Sequence, residues 1–555
     1  MLGLPHRQQC NTGRHLETSH TQPCLDKPAA PLPDNHLYSL VVDAAVAAQA
    51  QRSLTGMVTA LLPLLRGLGL AILRQVIESR DRSLDQQVRP CCPACEVPLT
   101  RTRHVRPTRR YTLLGQLVYA RRNFLCPKCN RSEYPTDWGL GLLERLHGHS
   151  QEFASLVGLM TTLMSNAKAM DLFQKCFGFA VSTQLARGLA MEIGTEMVRG
   201  EKQRAEQYWE MRTADPEAIE PPPAVLRKMA RSKRKYLMMD DSKLGIQEGK
   251  RGRGATKRTR DESKEANVLR KMLAQEKAKA AKAAKRGKPG PDTPVAVPRS
   301  DKDMDDNGFR NVRALLIFDQ ADLANVSKGR AEILRRRVVA HIGTLEEWYK
   351  FVHMALVEEG AYTAEEVFCI ADGGAGIWEL VDELLPSTRE RRVVQVLDFY
   401  HASSHLWAAA RAAKGNETAA LRRACFKWIK PLLQDLRGGK VANVIQRLGK
   451  LKLKGRAAEE VKKVKEYFEK HRRRMRYAWV REQGALIGSG AMESVHAWVI
   501  QPRCRLPGMR WSVAGANAML RLRCAWASGR WDETFARAAR GEAPSAPASL
   551  WKKAA

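Results

Sequence analysis

Val367-Phe-Cys-Ile-Ala-Asp372-Gly373-Gly374 sets five apolar residues in a row, then an acid, then two glycines. An unbroken apolar run of this length, closed by turn-forming residues, predicts a strand buried on both faces with Asp372 at its end. Tyr236-Leu-Met-Met-Asp240 repeats the pattern, again ending on an acid. Around these two runs, a further strand is predicted from Asn311 to Phe318 and another over Arg392-Val-Val-Gln-Val-Leu397. Thr344 with Glu347 forms a capping box that opens a helix reaching about Glu358. A short helix from Ile377 to Leu385 stops at Pro386. The succession strand, strand, helix, strand, helix, strand predicts a mixed α/β sheet with helices packed on it. Residues 403–485 read as helical throughout and separate this sheet from Ile487-Gly-Ser-Gly-Ala-Met-Glu493, which opens a helix carrying a third acid.

The chain has 555 residues, enough for several domains, and 93 Lys and Arg against 59 Asp and Glu give it a formal net charge of +34. Such a surplus predicts attraction to a polyanion, with nucleic acid as the default partner. A membrane is the rival, but no stretch reads as approaching the ~20 apolar residues of a spanning helix. The N-terminal Met1-Leu-Gly-Leu-Pro-His-Arg7 has no apolar core leading to a small-residue cleavage site, so a cytoplasmic protein is expected, its 12 cysteines mostly reduced.

Ahead of the sheet, residues 1–36 are polar and Pro-rich and read as a disordered tail, and 37–87 as a helical region. Residues 88–135 hold Cys92-Pro-Ala-Cys95 and Cys126-Pro-Lys-Cys129, thirty residues apart. Four thiolates at this spacing fit a tetrahedral structural zinc site, and the Thr-, Tyr- and Val-rich segment between them a hairpin. Cys91 adjoins the first knuckle and could replace Cys92. Arg101, Arg103, Arg106, Arg109 and Arg110 crowd this ribbon, so it could also touch DNA.

Residues 141–215 read as helices. Ala167–Phe177, a stop at Gly178, and a second helix from Ser182 to about Val198 make a helix-turn-helix layout. Gln184 and Arg187 fall on the first turn of its second helix, where bases are usually contacted; the plainer reading is a helical hairpin burying Leu185 and Leu189. Between Lys250 and Lys288, fifteen Lys and Arg against four Asp and Glu predict a mobile basic insertion, bounded at 250–308, that either solubilises the chain or binds a phosphate backbone.

Close carboxylates are what phosphodiester chemistry requires. Two magnesium ions about 3.5–4 Å apart clamp the attacking and leaving oxygens of an in-line displacement, and a few acids suffice to hold them. Taken singly, Asp372-Gly373 could merely end a strand by turn chemistry, and Glu493 could merely suit a helix dipole. Together, the Asp240 strand, Ala371-Asp-Gly-Gly-Ala-Gly-Ile-Trp378, Leu397-Asp-Phe-Tyr-His-Ala402, Ile487-Gly-Ser-Gly-Ala-Met-Glu-Ser494, Gly508-Met-Arg-Trp-Ser512 and Ser528-Gly-Arg-Trp-Asp532 resemble the DDE transposases of bacterial insertion sequences, most closely the ISKra family. The resemblance spans roughly residues 88–535 without the basic insertion.

The resemblance implies a multidomain α/β plus α protein. Its ribonuclease H-like mixed sheet catalytic domain (235–402 and 486–535) would carry a helical insertion (403–485), follow the zinc ribbon and the helix-turn-helix-like DNA-binding region, and end in a tail at 536–555. Asp240, Asp372 and Glu493 map onto the metal ligands for two Mg2+ ions, or Mn2+ in their place. Asp398 and His401 match an Asp-x-x-His signature and are assigned to positioning. The family usually has Gly after the first acid, where this chain has Asp241, so either can be the ligand, with Asp319 a third candidate. The implied partners are the DNA of element ends and target, bound by a homo-oligomer on paired ends at the bacterial nucleoid. A nuclease or resolvase without strand transfer is one alternative; Asp241 and the insertion keep an inactive, transposase-derived DNA-binding regulator as another. His401 and His405 lack the Glu of a metalloprotease motif and read as satisfied or DNA-facing histidines. Arg510-Trp511 and Arg530-Trp531 could stack on an unpaired base, although tryptophans buried under the last helices are commoner.

Overall fold

The computed structural model describes residues 34–51, 53–87, 90–92, 94–140, 148–214, 233–247, 309–327, 330–374, 376–414, 418–506 and 509–540. The basic insertion expected at 250–308, the tail through residue 33 and the tail from 541 lie outside the described residues. The chain divides into two compact units, Met1–Leu143 and Glu144–Ala555.

In the first unit, helices α1 (Asp34–Gln49) and α2 (Leu54–Gln87) precede an antiparallel hairpin, β1 (Thr100–Thr112) and β2 (Gly115–Leu125), with a short β3 (Ser132–Glu133). The helical region and the Cys ribbon, expected as separate regions, belong to this one unit because α2 lies on β2. Ile77 packs with Leu117 and Tyr119, and the Glu78 carboxylate accepts the Ala120 N–H at 3.1 Å. One sequence expectation is corrected here: Leu54–Arg82, with a mean hydropathy of 1.8, is long and apolar enough to cross a membrane by length and composition. Pro63 and its scattered charges had hidden the run. By itself such a helix is weak evidence of a membrane.

The second unit is built on a five-stranded mixed sheet of order β10-β9-β4-β5-β8. Its helices before the sheet are α3 (Gln151–Leu163), α4 (Asn166–Phe177) and α5 (Thr183–Ala214). Strands β4 (Arg234–Gly245) and β5 (Phe309–Asp319) form an antiparallel pair, and a small hairpin, β6 (Leu323–Ser327) with β7 (Arg330–Ile333), leads into β8 (Arg337–His341). Helix α6 (Leu345–Glu358) follows with the expected capping box, Thr344 Oγ accepting the Glu347 N–H and the Glu347 carboxylate accepting the Thr344 N–H. Then come β9 (Glu366–Ala371), α7 (Ile377–Leu384) and β10 (Arg392–Leu397). β9 runs parallel to both β4 and β10.

The hairpin and β8 are absent from the sequence reading. β8 opens on Arg337 and closes on His341, yet all five of its residues are buried. Its polar ends meet opposite charge: Arg337 lies 3.6 and 3.5 Å from Glu201 and Glu358, and His341 lies 3.1 Å from Glu347, six residues on. Burial holds the His341 imidazole near 4. Asp240 also departs from expectation, lying in the middle of β4 rather than at a strand end.

After β10, the insertion is helical as expected: α8 (Phe399–Lys414), α9 (Ala419–Arg437), α10 (Val441–Gly449), α11 (Gly455–His471) and α12 (Tyr477–Glu482). The chain closes with α13 (Gly490–Val495), a π-helical turn His496–Ile500, α14 (Val513–Ala527) and α15 (Trp531–Arg540). α14 is buried along most of its length and packs on β8 and on α5. Asn517 pairs with the backbone of Ile342 as a strand neighbour would, accepting its N–H at 2.9 Å and donating to its carbonyl at 2.8 Å. The helices approach so closely that a Cβ on Gly194 would lie 2.5 Å from the Ala518 carbonyl oxygen.

α5 extends to Ala214, well past the expected end near Val198, and one face of the extension, at Glu201, Arg204 and Ala205, is buried. There Glu201 and Glu358 neutralise a cluster of buried arginines: Arg521 reaches Glu201 at 2.9 Å, while Arg204 and Arg530 each reach Glu358 at 3.1 Å. Burial alone would raise the Glu358 carboxyl; Arg204, Arg337 and Arg530 overcome it and hold the group near 2. Glu358→Ala should therefore destabilise the unit by about 3–5 kcal/mol in urea unfolding, because it leaves buried guanidiniums uncompensated. With a folded value near 2 against an ordinary 4.5, the carboxylate's contribution is full above about pH 4.5 and is lost as pH falls through 2. The stability gap between wild type and variant should narrow across that window.

Candidate functional site

The sheet register brings the first two acids together. β4 pairs in parallel with β9, with Met239 opposite Ala371, so Asp240 and Asp372 leave that pairing side by side on strands about 4.8 Å apart. Beyond this point β4 keeps only β5 as a strand partner, Asp240 lying opposite Ala314. A gap thus opens on the β9 side of β4, at the carboxyl end of the parallel strands, where open α/β sheets place their sites.

Asp372 is held by the loop it begins. Its Oδ1 accepts the Gly374 N–H at 2.9 Å, the turn chemistry foreseen for this position. Gly373 has φ +86, and a Cβ there would lie 2.9 Å from Leu397 and 3.0 Å from His471, so glycine is required on both counts. From the helical insertion, Tyr467 donates its hydroxyl to the Asp372 carbonyl at 2.8 Å. His405 stacks on Tyr467 with ring centres 4.1 Å apart, and the Nε2 atoms of His401 and His405 lie 3.2 Å from each other. The two histidines are thus satisfied by each other and by Tyr467, behind the second acid.

Glu493 lies on α13 and is exposed. One helical turn later, His496 Nε2 sits 3.1 Å from Asp240 Oδ2. Residues three apart share a helix face, so this contact turns the Glu493 face of the helix toward β4. His496 is a residue that sequence reading missed; its place three residues after Glu493 was the available signal.

Asp398 anchors the same helix from the other side. It is buried, and its Oδ1 accepts the N–H groups of Tyr400 and His401 at 2.6 and 2.9 Å, capping α8. Its Oδ2 accepts the Ser489 N–H at 2.8 Å and the Ser489 hydroxyl. With both oxygens committed, Asp398 joins α8 to the loop that opens α13. That geometry is of a positioning residue.

Asp241 falls opposite Arg313, and strand alternation turns it away from Asp240. Although Asp241 is exposed at the surface, loss of hydration from the protein packed around it pushes its carboxyl up to about 6; Arg313 opposes the rise, and Asp372 and Asp240 add to it. Asp319, the third candidate, lies apart from the other two: it is buried and paired to Lys235 at 2.8 Å, five strand positions from Asp240.

The thiols form a tighter cluster in the first unit. Donor atoms of Cys92, Cys95, Cys126 and Cys129 all lie within 4.8 Å of one another, a set that could hold a structural zinc ion. Both knuckles fold alike: Cys92 and Cys126 carbonyls accept from Glu96 and Asn130 at 2.9 Å, and those two residues both take φ 56. N–H groups of Cys129 and Lys128 help hold the Cys126 thiol down near 7, while its bond to Cys129 pushes the Cys95 thiol up to about 12, so the four sulfurs would need a bound cation to be thiolates together. Cys91 is exposed and outside the set, which settles the ligand choice in favour of Cys92. Among the described residues, Asp240, Asp372 and Glu493 form no group of comparable closeness.

The remaining candidates are scattered. Gln184 and Arg187 are exposed on the first turn of α5, beside Ser182, whose hydroxyl accepts the Leu185 N–H at 3.1 Å. Leu189 is buried with Ala186 and Ile193, and Leu185 half-buried, so this helix pair also serves as packing. Arg510 is exposed over the Phe309 ring, while Trp511 is half-buried, gives its indole N–H to the Cys504 carbonyl and bridges to Ile246 past the end of β4. Trp531 is buried and donates to Ser155 Oγ at 2.9 Å, a core role. No protein-family model matches the chain, and no curated protein matches it significantly.

The thiol geometry predicts one tightly held zinc per chain by elemental analysis. Cys126→Ser should lower that content and loosen the ribbon, seen as faster amide exchange over β1 and β2, because a module this small depends on its metal.

Proposed function

We propose that this chain is a DDE-type DNA transposase whose acids are Asp240, Asp372 and Glu493, set on a ribonuclease H-like sheet. The observation that carries the reading is the β4–β9 register, which sets Asp240 abreast of Asp372 while His496 ties the Glu493 helix to Asp240. A mixed sheet with the first acid on its central strand, the second at the end of the adjacent parallel strand and the third beyond a helical insertion supports it. Asp240 is the better first acid than Asp241, since it shares His496 with the helix and Asp241 faces Arg313.

Divalent cations, Mg2+ or Mn2+, would supply activation of the attacking oxygen and neutralisation of the leaving one. The three acids would hold them; His496 fixes the Asp240 carboxylate, Asp398 and Ser489 fix the start of α13, and Tyr467 fixes the Asp372 loop. Water attacks phosphorus at the element end, the bond to the 3′-oxygen breaks, and a 3′-hydroxyl is released. That hydroxyl then attacks a target phosphodiester, forming the new junction and releasing the target's own 3′-hydroxyl. The net charge of +34 supports DNA as the partner. Exposed Gln184, Arg187 and Arg510, together with the arginines of the ribbon, are the proposed DNA contacts, and joining two ends calls for a homo-oligomer at the nucleoid.

Asp372→Asn and Glu493→Gln should each lower magnesium-dependent cleavage of end DNA by about 100-fold or more, as expected when several kcal/mol of metal stabilisation is lost. End binding, followed by gel shift, should stay within about twofold, since the changes remove no cation that contacts phosphate. Cleavage undiminished in both variants would reject the triad; cut ends that never join a plasmid target would reduce the activity to that of a nuclease.

A further inference from the structure

We infer that the groove along the outer edge of β10 holds the phosphate backbone of the DNA that passes the acids, an inference that rests on the DNA reading above. β10 is the end strand of the sheet, and an exposed strand edge is normally covered or charged. Here the chain leaving α11 crosses it as a 3-10 turn, Arg472–Arg474, leaving a groove of about 540 Å3 between Val393–Gln395 and the turn.

The cations of this groove fall into two kinds. Arg474 is built into the wall: its Nε donates to Gln395 Oε1 at 2.7 Å, its guanidinium lies 4.7 Å from the centre of the Trp378 ring, and Asp382 and Glu379 balance its charge. Arg476 lies over Trp479 at 4.8 Å. Lys470, Arg472 and Arg473 are different. All three are exposed, and among the described residues no carboxylate lies within 4.0 Å of any of them. Glu469, the acid beside them, is taken by Lys465 at 3.4 Å. Three like charges are thus gathered at the end of α11 and on the turn after it, which Arg474 and Gln395 hold in place. Their mutual repulsion is what a polyanion relieves, with release of its own counterions.

The same helix links the groove to the acids. α11 carries Tyr467, bonded to the Asp372 carbonyl about one turn before the basic residues, and His471, against Gly373 and between Lys470 and Arg472. Gln395 lies two strand positions before Leu397, which pairs with Ala371, so the groove begins about 10 Å from Asp372 along the sheet. Duplex DNA carries one charge per about 1.7 Å of axis; a strand with its scissile phosphate at the acids would present several further phosphates to Lys470, Arg472 and Arg473.

The test compares the full-length protein with Arg472→Ala/Arg473→Ala and Arg472→Lys/Arg473→Lys, measuring duplex DNA binding by anisotropy over a range of salt. The alanine pair should flatten the slope of log affinity against log salt by about 2, one counterion for each lost phosphate contact. The lysine pair should restore it, and thermal melts should coincide because both side chains are exposed. An unchanged slope in the alanine pair overturns the inference, as does a loss confined to binding of phosphatidylglycerol vesicles. Failure of the wild type to cut DNA in magnesium would reject the transposase reading, while the salt slopes would still decide the groove.

Discussion

The parallel pairing of β4 with β9 is the constraint on which the candidate site depends. It sets Met239 opposite Ala371, and the next residue on each strand is an acid. A slip of one position would turn one of the two carboxylates to the other face of the sheet, since side chains alternate. The register is fixed by burial: Tyr236 through Met239 and Val367 through Ala371 are covered on both sides, leaving no exposed face onto which either strand could shift. Across β4 and β5, the buried Lys235–Asp319 pair pins a second register, that of β4 against β5, where a shift would strand two charges in the core.

The rest of the larger unit serves to bring a third element to that point. Asp398 spends both carboxylate oxygens on joining α8 to Ser489, so the insertion and the helix after it share one anchor. Tyr467, from the far end of the insertion, holds the Asp372 loop. The insertion therefore acts as a brace between the second acid and the third. On the opposite flank the buried arginines around Glu201 and Glu358 bind α5, α6, β8, α14 and α15 into one body. This explains why the Ser528-Gly-Arg-Trp531 motif is placed where it is. Arg530 closes the ion cluster, and the Ser528 hydroxyl accepts the Val338 N–H at 2.9 Å. Distinctive residues near the end of the described chain thus support the sheet.

Much of this was legible beforehand, and for identifiable reasons. The β9 run, the capping box at Thr344, the Gly178 stop and the paired Cys-x-x-Cys knuckles are all local: each is decided by residues within a few positions of one another. β8 escaped notice because Arg337, which opens it, acquires Glu201 only in the fold, from well over a hundred positions away. The same is true of the second half of α5, whose Glu201 and Arg204 read as a solvated face until Arg337, Arg521 and Glu358 arrive beside them. For His496 the one signal was its place three residues after Glu493, and that spacing means little until the strand it meets is known.

Sequence alone determined that two apolar runs end on acids, that four cysteines stand at metal-ligand spacing, and that the chain carries a large positive charge. These follow from composition and short-range pattern, which need no knowledge of distant chain. Only the tertiary structure decided that Asp240 and Asp372 stand abreast, that Asp319 pairs with Lys235, that Cys92 rather than Cys91 joins the thiol cluster, and that both Asp398 oxygens join the start of α8 to Ser489. Those outcomes depend on strand register and on which buried charge finds which partner, and both are fixed by burial across hundreds of residues.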